Sequence, residues 1–411
     1  MVRELTRRSF LGQGAMVGCS LAASPLMTSA SFAAAPGQNR LIVIILRGGM
    51  DGLDILRPWG SAHLTTLRPS LKSAASDAMM LNEYYGLHPR LAALKPMWTS
   101  GELAFVQSVS TPYRDKRSHF DGQDILEAGT SGSVAGVQKD GWLNRMLSGL
   151  PGADATTAYS VGLGDMLLAQ GPAEIRSWSP QVDVVLSQQG YALMQHMYQD
   201  DPALAKSLDQ AVKLAGSDGD QALFEDASDG MMAAMDIQMG DAVQAGNKAH
   251  VKIADFVANQ LAGDARIACF SLGGWDTHRN QKNALNRPAQ QLADTLTTLM
   301  AGLGAAWKTT TVMCMTEFGR TAAENGSKGT DHGTGGMMIL AGGAVRGRKI
   351  YGQFNGLDEA ALYKRRDLMP TDDVRRWAAW VIRSSFGLEA SFLERRVFPG
   401  LDLGADPGVL L

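Results

Sequence analysis

Thr309–Gly336 reads TTTVMCMTEFGRTAAENGSKGTDHGTGG. Its first part is an apolar run rich in β-branched residues that stops abruptly at Glu317, Arg320 and an Asp331-His332 pair. A buried strand that empties into charged groups is the pattern of a central strand's carboxyl end, where α/β sheets gather their chemistry.

The same pattern recurs nearer the amino terminus. Leu41-Ile42-Val43-Ile44-Ile45-Leu46 is continuously apolar and ends in Arg47-Gly48-Gly49-Met50-Asp51, as expected of a first parallel strand covered on both faces. The two glycines allow a sharp turn and close approach to a ligand. Asp51 then either ligates a metal or caps the next helix. Leu87 to Trp98 has helical apolar spacing, with Gly101 as its stop before a strand at Leu103–Val109. Ser118 opens another helix, SHFDGQDILEAG, with acids in its first turn. It is placed both to cap that helix and to act as a nucleophile, because N–H groups at a helix start stabilise an attached anion. Serine statistics alone favour the cap.

A third strand, Ala265–Leu272, ends in Gly273-Gly274-Trp275-Asp276-Thr277-His278. Asp276 and His278, two apart on an extended segment, point the same way and can reach one ion. Ala289 to Trp307 reads as an amphipathic helix leading back to the Thr309 strand. Thr371-Asp372-Asp373 opens a capped helix through Val381 that closes the sheet's edge.

The 411 residues are 45% hydrophobic and 19% charged, with a formal charge of -3, which suits one large α/β domain carrying an insertion. That charge leaves no electrostatic footprint for nucleic acid or an anionic membrane, so neither is an expected partner. Residues 1–33 read as a targeting segment. Thr6-Arg7-Arg8-Ser9-Phe10-Leu11 is a twin-arginine (Tat) signature, followed by a Gly- and Ala-rich apolar stretch and a small-residue region cut after Ala33. The stretch is short and Gly-rich for a retained membrane span, and Met16–Cys19 resembles a lipoprotein cleavage box only weakly. Removal takes away Arg3, Glu4, Arg7 and Arg8 and leaves a net charge of -5. The expected location is periplasmic or extracellular, with the Tat translocase and signal peptidase as partners in export and no stable membrane span in the mature chain. Cys269 and Cys314 lie in apolar runs and are expected as buried free thiols. Residues 34–411 form the domain; Pro151 to Pro180 reads as short-strand and turn material, Val182 to Ala262 is helically periodic around a Ser217–Asp220 hinge, and a mainly helical insertion is expected at about 151–262.

Together LRGGMDGLD, GLHPRLAAL, RSHFDGQDILEAG, GWLNR, GGWDTH, TEFGRT, GTDHG and TDDVRRWAAWVI with a later VFPG resemble a bacterial twin-arginine-exported family, domain of unknown function 1501. That family is placed in the alkaline phosphatase-like superfamily with sulfatases and phosphomutases. The resemblance covers nearly the whole mature chain. It implies an alkaline phosphatase-like three-layer α/β/α sandwich with a largely parallel central sheet and a helical insertion. It also implies that Asp51 is the first-strand metal aspartate, Ser118 the nucleophile, and Asp276 with His278 a ligand pair, although the superfamily spaces that pair more widely. The last ligands have two assignments. Asp331-His332 matches by identity; Glu317 matches by strand position, leaving His332 as a later, loop-borne ligand. The second is preferred because Glu317 ends a strand, and on either Glu317, Asp331 and His332 lie near the metal.

The implied activity is hydrolysis of phosphate or sulfate esters with one or two divalent ions, Zn²⁺, Mn²⁺ or Mg²⁺. Ser118 would attack in line while Arg117, Arg114 or Arg320 held the anionic oxygens. The substrate would be a small anionic ester or an ester of the cell envelope or a polysaccharide. The rival reading is a noncatalytic exported protein that keeps the fold and an ion as structure and acts in envelope assembly or partner binding. His119 directly after Ser118, the compact Asp-Thr-His and Glu317 at a usual aspartate position are departures that favour this rival. His88 is read as a turn or helix-start residue and His196 and His250 as surface or packing residues, while His63 has no informative context.

Overall fold

Among the described residues nine strands join in one sheet: β1 (Arg40–Leu46), β2 (Leu103–Ser110), β3 (Ala158–Val161), β4 (Arg176–Trp178), β5 (Ile267–Leu272), β6 (Thr310–Met315), β7 (Gly336–Ala341), β8 (Lys349–Tyr351) and β9 (Asp372–Asp373). The computed structural model describes residues 37–74, 79–131, 139–162, 166–179 and 248–411, all within the compact unit Ala33–Pro180 plus Asn247–Leu411. The strand order is β8-β2-β7-β6-β1-β5-β3-β4, with β9 also paired to β2. Only β7 runs against the others, pairing antiparallel with both β2 and β6. The expected largely parallel sheet is therefore present.

β1 is central and wholly buried, as an unbroken run of Leu, Ile and Val requires. It pairs in parallel with β5, Leu46 beside Leu272, and with β6, Ile45 beside Met315. This register aligns three strand ends, so Arg47–Asp51, Gly273–His278 and Thr316–Glu317 emerge side by side. β2 points to the same edge.

Alternate side chains of the sheet feed two apolar layers. Ile42, Ile44 and Leu46 pack with α5 (Ala249–Ala262), α6 (Asn286–Leu303) and α2 (Lys95–Ser100). Leu41, Val43 and Ile45 pack with α4 (Trp142–Leu147) and α7 (Val374–Phe386). The result is the expected α/β/α layering. Each buried aliphatic side chain contributes roughly 1.5–3 kcal/mol, so Ile44→Ala, at a fully buried position, would cost roughly 2–5 kcal/mol. Two further helices bear on the site: α1 (Gly52–Ile55), capped by Asp51, and α3 (His119–Ala128), capped by Ser118.

The remaining local expectations have mixed outcomes. Gly101 ends α2 in the left-handed region at φ 82° and Asp373 caps α7. Leu87 to Trp98 is not one helix, since Pro89–Leu94 is a 3-10 turn before α2 begins. At the two ends of the expected 151–262 insertion, β3 and β4 extend the sheet and α5 belongs to its covering layer. Residues 180–247 and the 1–33 targeting segment lie outside the described residues. Cys269 and Cys314 are buried and free, and burial pushes the Cys269 thiol up to about 12. Among the described residues no helix is long and apolar enough to cross a membrane.

Candidate metal centre

Two tight approaches set the geometry where the strands end. Gly48, at φ 119°, lies so close to the next strand's loop that a Cβ would sit 2.6 Å from the Asp276 amide nitrogen. Gly49, at φ 64°, leaves room for the Phe318 ring, 2.8 Å from where its Cβ would be. The glycines expected to admit a ligand thus admit the neighbouring loop and ring instead. Asp276 is brought against β1's end, and Phe318 is laid against the His119 and His332 imidazoles, with ring centroids 5.0 Å apart in each case.

Asp276 Oδ1 is the focus. His278 Nε2 lies 2.9 Å from it, His332 Nε2 3.3 Å and His119 Nε2 3.4 Å. One ligand atom each from His119, Asp276 and His332 lies within 4.8 Å of the others, and His278 Nε2 is 2.8 Å from His332 Nε2. The opposite nitrogen of every ring faces an acceptor. His119 Nδ1 is 2.7 Å from Glu317 Oε1, His332 Nδ1 2.8 Å from the Arg117 carbonyl oxygen, and His278 Nδ1 3.5 Å from Asp331 Oδ1. A carbonyl and an ionised carboxylate only accept, so the short Nδ1 contacts place a proton on Nδ1 of His119 and of His332, and their neutral rings turn Nε2 lone pairs inward. His119 Nε2 is buried and makes no hydrogen bond.

The His119 and His332 Nε2 atoms face the Asp276 carboxylate, with His278 Nε2 beside them and the Arg320 guanidinium behind, an arrangement that a cation in front would complete. Outer acceptors on each ring are the usual support of metal-ligating histidines. The donor set of His119, Asp276 and His332, with His278 beside it, therefore fits a divalent metal.

The electrostatics agree with ionised carboxylates. Burial alone would raise the Glu317 carboxyl, but His119, Gln123 and the Gly48 amide hold it below the usual range. Burial likewise opposes Asp276, and the Arg320 hydrogen bond and charge outweigh it. The bond to Glu317 raises His119, whereas burial lowers His332.

The residues singled out in the sequence divide by role. Asp276, His278 and His332 meet. Glu317 is wholly buried and stands behind His119, also accepting from the Gly48 amide at 2.8 Å and Gln123 at 3.1 Å; it holds the His119 ring and does not reach the focus. Asp331 stands behind His278 and accepts from Asn325 at 2.9 Å. Asp51 is elsewhere: it caps α1, accepts from Arg68 at 2.6 Å and Gln281 at 2.7 Å, and is buried. The capping alternative describes it, and the first-strand ligand assignment does not. Ser118 caps α3, its Oγ accepting from the Asp121 amide at 3.3 Å.

Arg320 does not face an incoming anion, because its guanidinium is fully buried and donates to the Gly49, Trp275 and Thr330 carbonyls as well as Asp276. It positions Asp276. Arg114 is likewise turned inward, to Ser110 Oγ at 2.9 Å and the Tyr113 carbonyl at 2.8 Å. Arg117 holds His332 through its carbonyl, on a backbone at φ 58°, and leaves its side chain exposed. The residue that sequence reasoning left out is His119, counted only as a departure. Its signal was an imidazole at the first position of a helix that begins beside three strand ends.

The solved structures similar to this chain are distant. Ps i-CgsB in complex with k-i-k-neocarrahexaose aligns at 9% identity and TM-score 0.39, over 87% of this chain and 74% of that one. The lipoteichoic acid synthase LtaP from Listeria monocytogenes aligns at 8% and 0.36, over 92% and 78%. An alkaline phosphatase mutant of the Antarctic bacterium TAB5, with Mg bound in its M3 site, aligns at 11% and 0.34, over 78% and 95%. At these scores the alignments carry no chemical argument. No curated protein matches the chain. The family described as protein of unknown function (DUF1501) matches residues 104–374, and the chain belongs to it.

Proposed function

We propose that this chain is an exported, metal-dependent hydrolase of phosphate or sulfate esters, with His119, Asp276, His278 and His332 as its metal ligands. The observation that supports it is the convergence of three imidazole Nε2 atoms on Asp276 Oδ1 while each Nδ1 faces its own acceptor. A set of three nitrogens and one carboxylate suits Zn²⁺ first and Mn²⁺ next, and suits Mg²⁺ least. Bound there, a divalent ion would supply Lewis acidity to a hydroxyl group and to the oxygens of an anionic ester.

Ser118 is the proposed nucleophile because it immediately precedes the ligand His119 and sits where α3 presents its first N–H groups. Its hydroxyl would add to the phosphorus or sulfur atom, the bond to the alcohol oxygen would break, and the alcohol would leave with the serine proton. Water would then cleave the Ser118 ester and restore the hydroxyl. Arg117, whose exposed guanidinium makes no hydrogen bond or ion pair among the described residues, is the proposed anion holder. The Arg7-Arg8 signature supports action outside the cytoplasm.

The test is an assay of chelator-free protein on aryl phosphates, phosphodiesters and aryl sulfates with added Zn²⁺, Mn²⁺ or Mg²⁺, beside Ser118→Ala. Metal-dependent release of the phenol, abolished in a folded Ser118→Ala protein, is expected. Unchanged turnover in that variant sinks the nucleophile, and bound metal without turnover on any ester favours the noncatalytic reading.

A further inference from the structure

A second metal ion beside the first would need carboxylates of its own, and among the described residues the buried carboxylates past these strand ends, Asp51, Asp54 and Glu317, are already compensated. Asp51 Oδ1 accepts from the Leu53 amide at 3.1 Å and the Asp54 amide at 3.2 Å. Its Oδ2 accepts from Arg68 at 2.6 Å, Gln281 at 2.7 Å and Thr330 Oγ1 at 3.4 Å. A carboxylate offers about four lone-pair directions, so none is left over.

Nor can Arg68 swing away cheaply. It is 2% exposed, and its other donors are committed to the Ala322 carbonyl at 3.0 Å and the Thr321 carbonyl at 2.9 Å. Asp54 is held by Arg57 at 2.7 Å and Gln281 at 2.8 Å. Glu317 is fully engaged behind His119. On the other side of Thr330, Arg320 is a permanent buried cation that touches Asp276 and comes within 3.5 Å of His278 Nε2.

We infer that the centre holds one divalent ion per chain, and that the fixed guanidiniums of Arg68 and Arg320 supply the positive charge a second ion would bring. This rests on the metal reading above and sharpens it. It makes Asp51, the residue the family resemblance assigns to a metal, part of a buried ion pair that the bound ion never touches.

The test counts ions and needs no substrate. Protein stripped with chelator is titrated with Zn²⁺, and separately with Mn²⁺, by calorimetry, with elemental analysis of the dialysed product. One equivalent is expected. Asp51→Asn, which keeps the cap and cannot ionise, should still bind one equivalent with affinity within about threefold of the parent, while Asp276→Asn should lose at least about 100-fold, beyond the loss seen for outer residues. Two equivalents in the parent chain, the second lost in Asp51→Asn, would overturn the inference and leave the metal reading standing. No bound ion at all would remove that reading and this inference together. Should Asp51→Asn fail to fold, the count on the parent chain decides alone.

Discussion

His278 Nε2 and His332 Nε2 lie 2.8 Å apart, and each ring directs its Nδ1 at an oxygen acceptor. At that distance the two nitrogens need a proton or a cation between them, and a bound divalent ion would take the proton's place. Added Zn²⁺ should raise the thermal midpoint, with about 2.7 kcal/mol of stabilisation at a free concentration one hundred times Kd. In His332→Ala the same titration should leave the midpoint nearly unmoved. An equal shift in both proteins would show that Zn²⁺ binds elsewhere.

Glu317 acts on that centre through His119. Its carboxylate lies 2.7 Å from Nδ1 and is 0% exposed, so it fixes both the tautomer and the direction of the ring. Glu317→Gln keeps the shape and weakens the acceptor. Metal affinity should fall roughly 10–100-fold, the range for outer partners of metal-bound histidines, while the unfolding midpoint of the metal-free chain changes little. Unaltered affinity would remove Glu317 from the site.

Arg320 presents the opposite balance, large in stability and indirect in binding. Its guanidinium satisfies the Gly49, Trp275 and Thr330 carbonyls and the Asp276 carboxylate from a position with no solvent exposure. Arg320→Met would leave those acceptors unpaired and should cost at least about 3 kcal/mol in urea unfolding. A loss below about 1 kcal/mol would mean that water replaces the guanidinium readily.

The strand ends were legible because the pattern is local. An unbroken run such as Leu41–Leu46 has few ways to be buried except inside a sheet, and polar residues just past it must lie at its edge. What could not be read was which polar residue meets which. Asp51 and Asp276 each follow a buried strand and paired glycines, yet Asp51 meets Arg68 and Gln281 while Asp276 meets three imidazoles. Gln281 is 230 positions from Asp51, and nothing in either local stretch encodes the meeting. His119 was hidden for a related reason: a polar residue at a helix start reads as end chemistry, and its turn towards Glu317 comes from tertiary packing. The short strands read within Pro151–Pro180 could not be assigned to the main sheet, because β3 and β4, of four and three residues, are too short to show a period.

Export is testable apart from the fold. Arg7→Lys with Arg8→Lys keeps the charge of the targeting segment and removes the guanidinium pair that a twin-arginine receptor reads. The doubly substituted chain should accumulate uncut in the cytoplasm, by immunoblot of cell fractions, whereas the parent should appear outside it, shortened by about 33 residues as expected for a cut after Ala33. Equal export of both would assign the segment to another route.

His88 gives the chain a dependence on acid that is separate from the metal. It is 2% exposed, and its Nδ1 accepts from the Arg90 amide at 3.2 Å, capping the turn that begins at Pro89. Burial lowers its pKa from 6.5 to about 4; Asp54 opposes that shift, and Arg57 and Arg90 add to it. The fold therefore holds the neutral ring. As pH drops through 6.5 the unfolded chain takes up a proton that the folded chain refuses, so this contribution is whole above 6.5, declines towards 4 and is lost below. The integrated difference is up to about 3 kcal/mol. His88→Asn keeps an acceptor for the Arg90 amide and cannot titrate. Its urea midpoint should lie close to the parent's at pH 7.5 and should overtake it progressively between pH 6.5 and 4. Parallel midpoints over that range would mean that the buried ring is charged in the fold, or that its environment opens before it titrates.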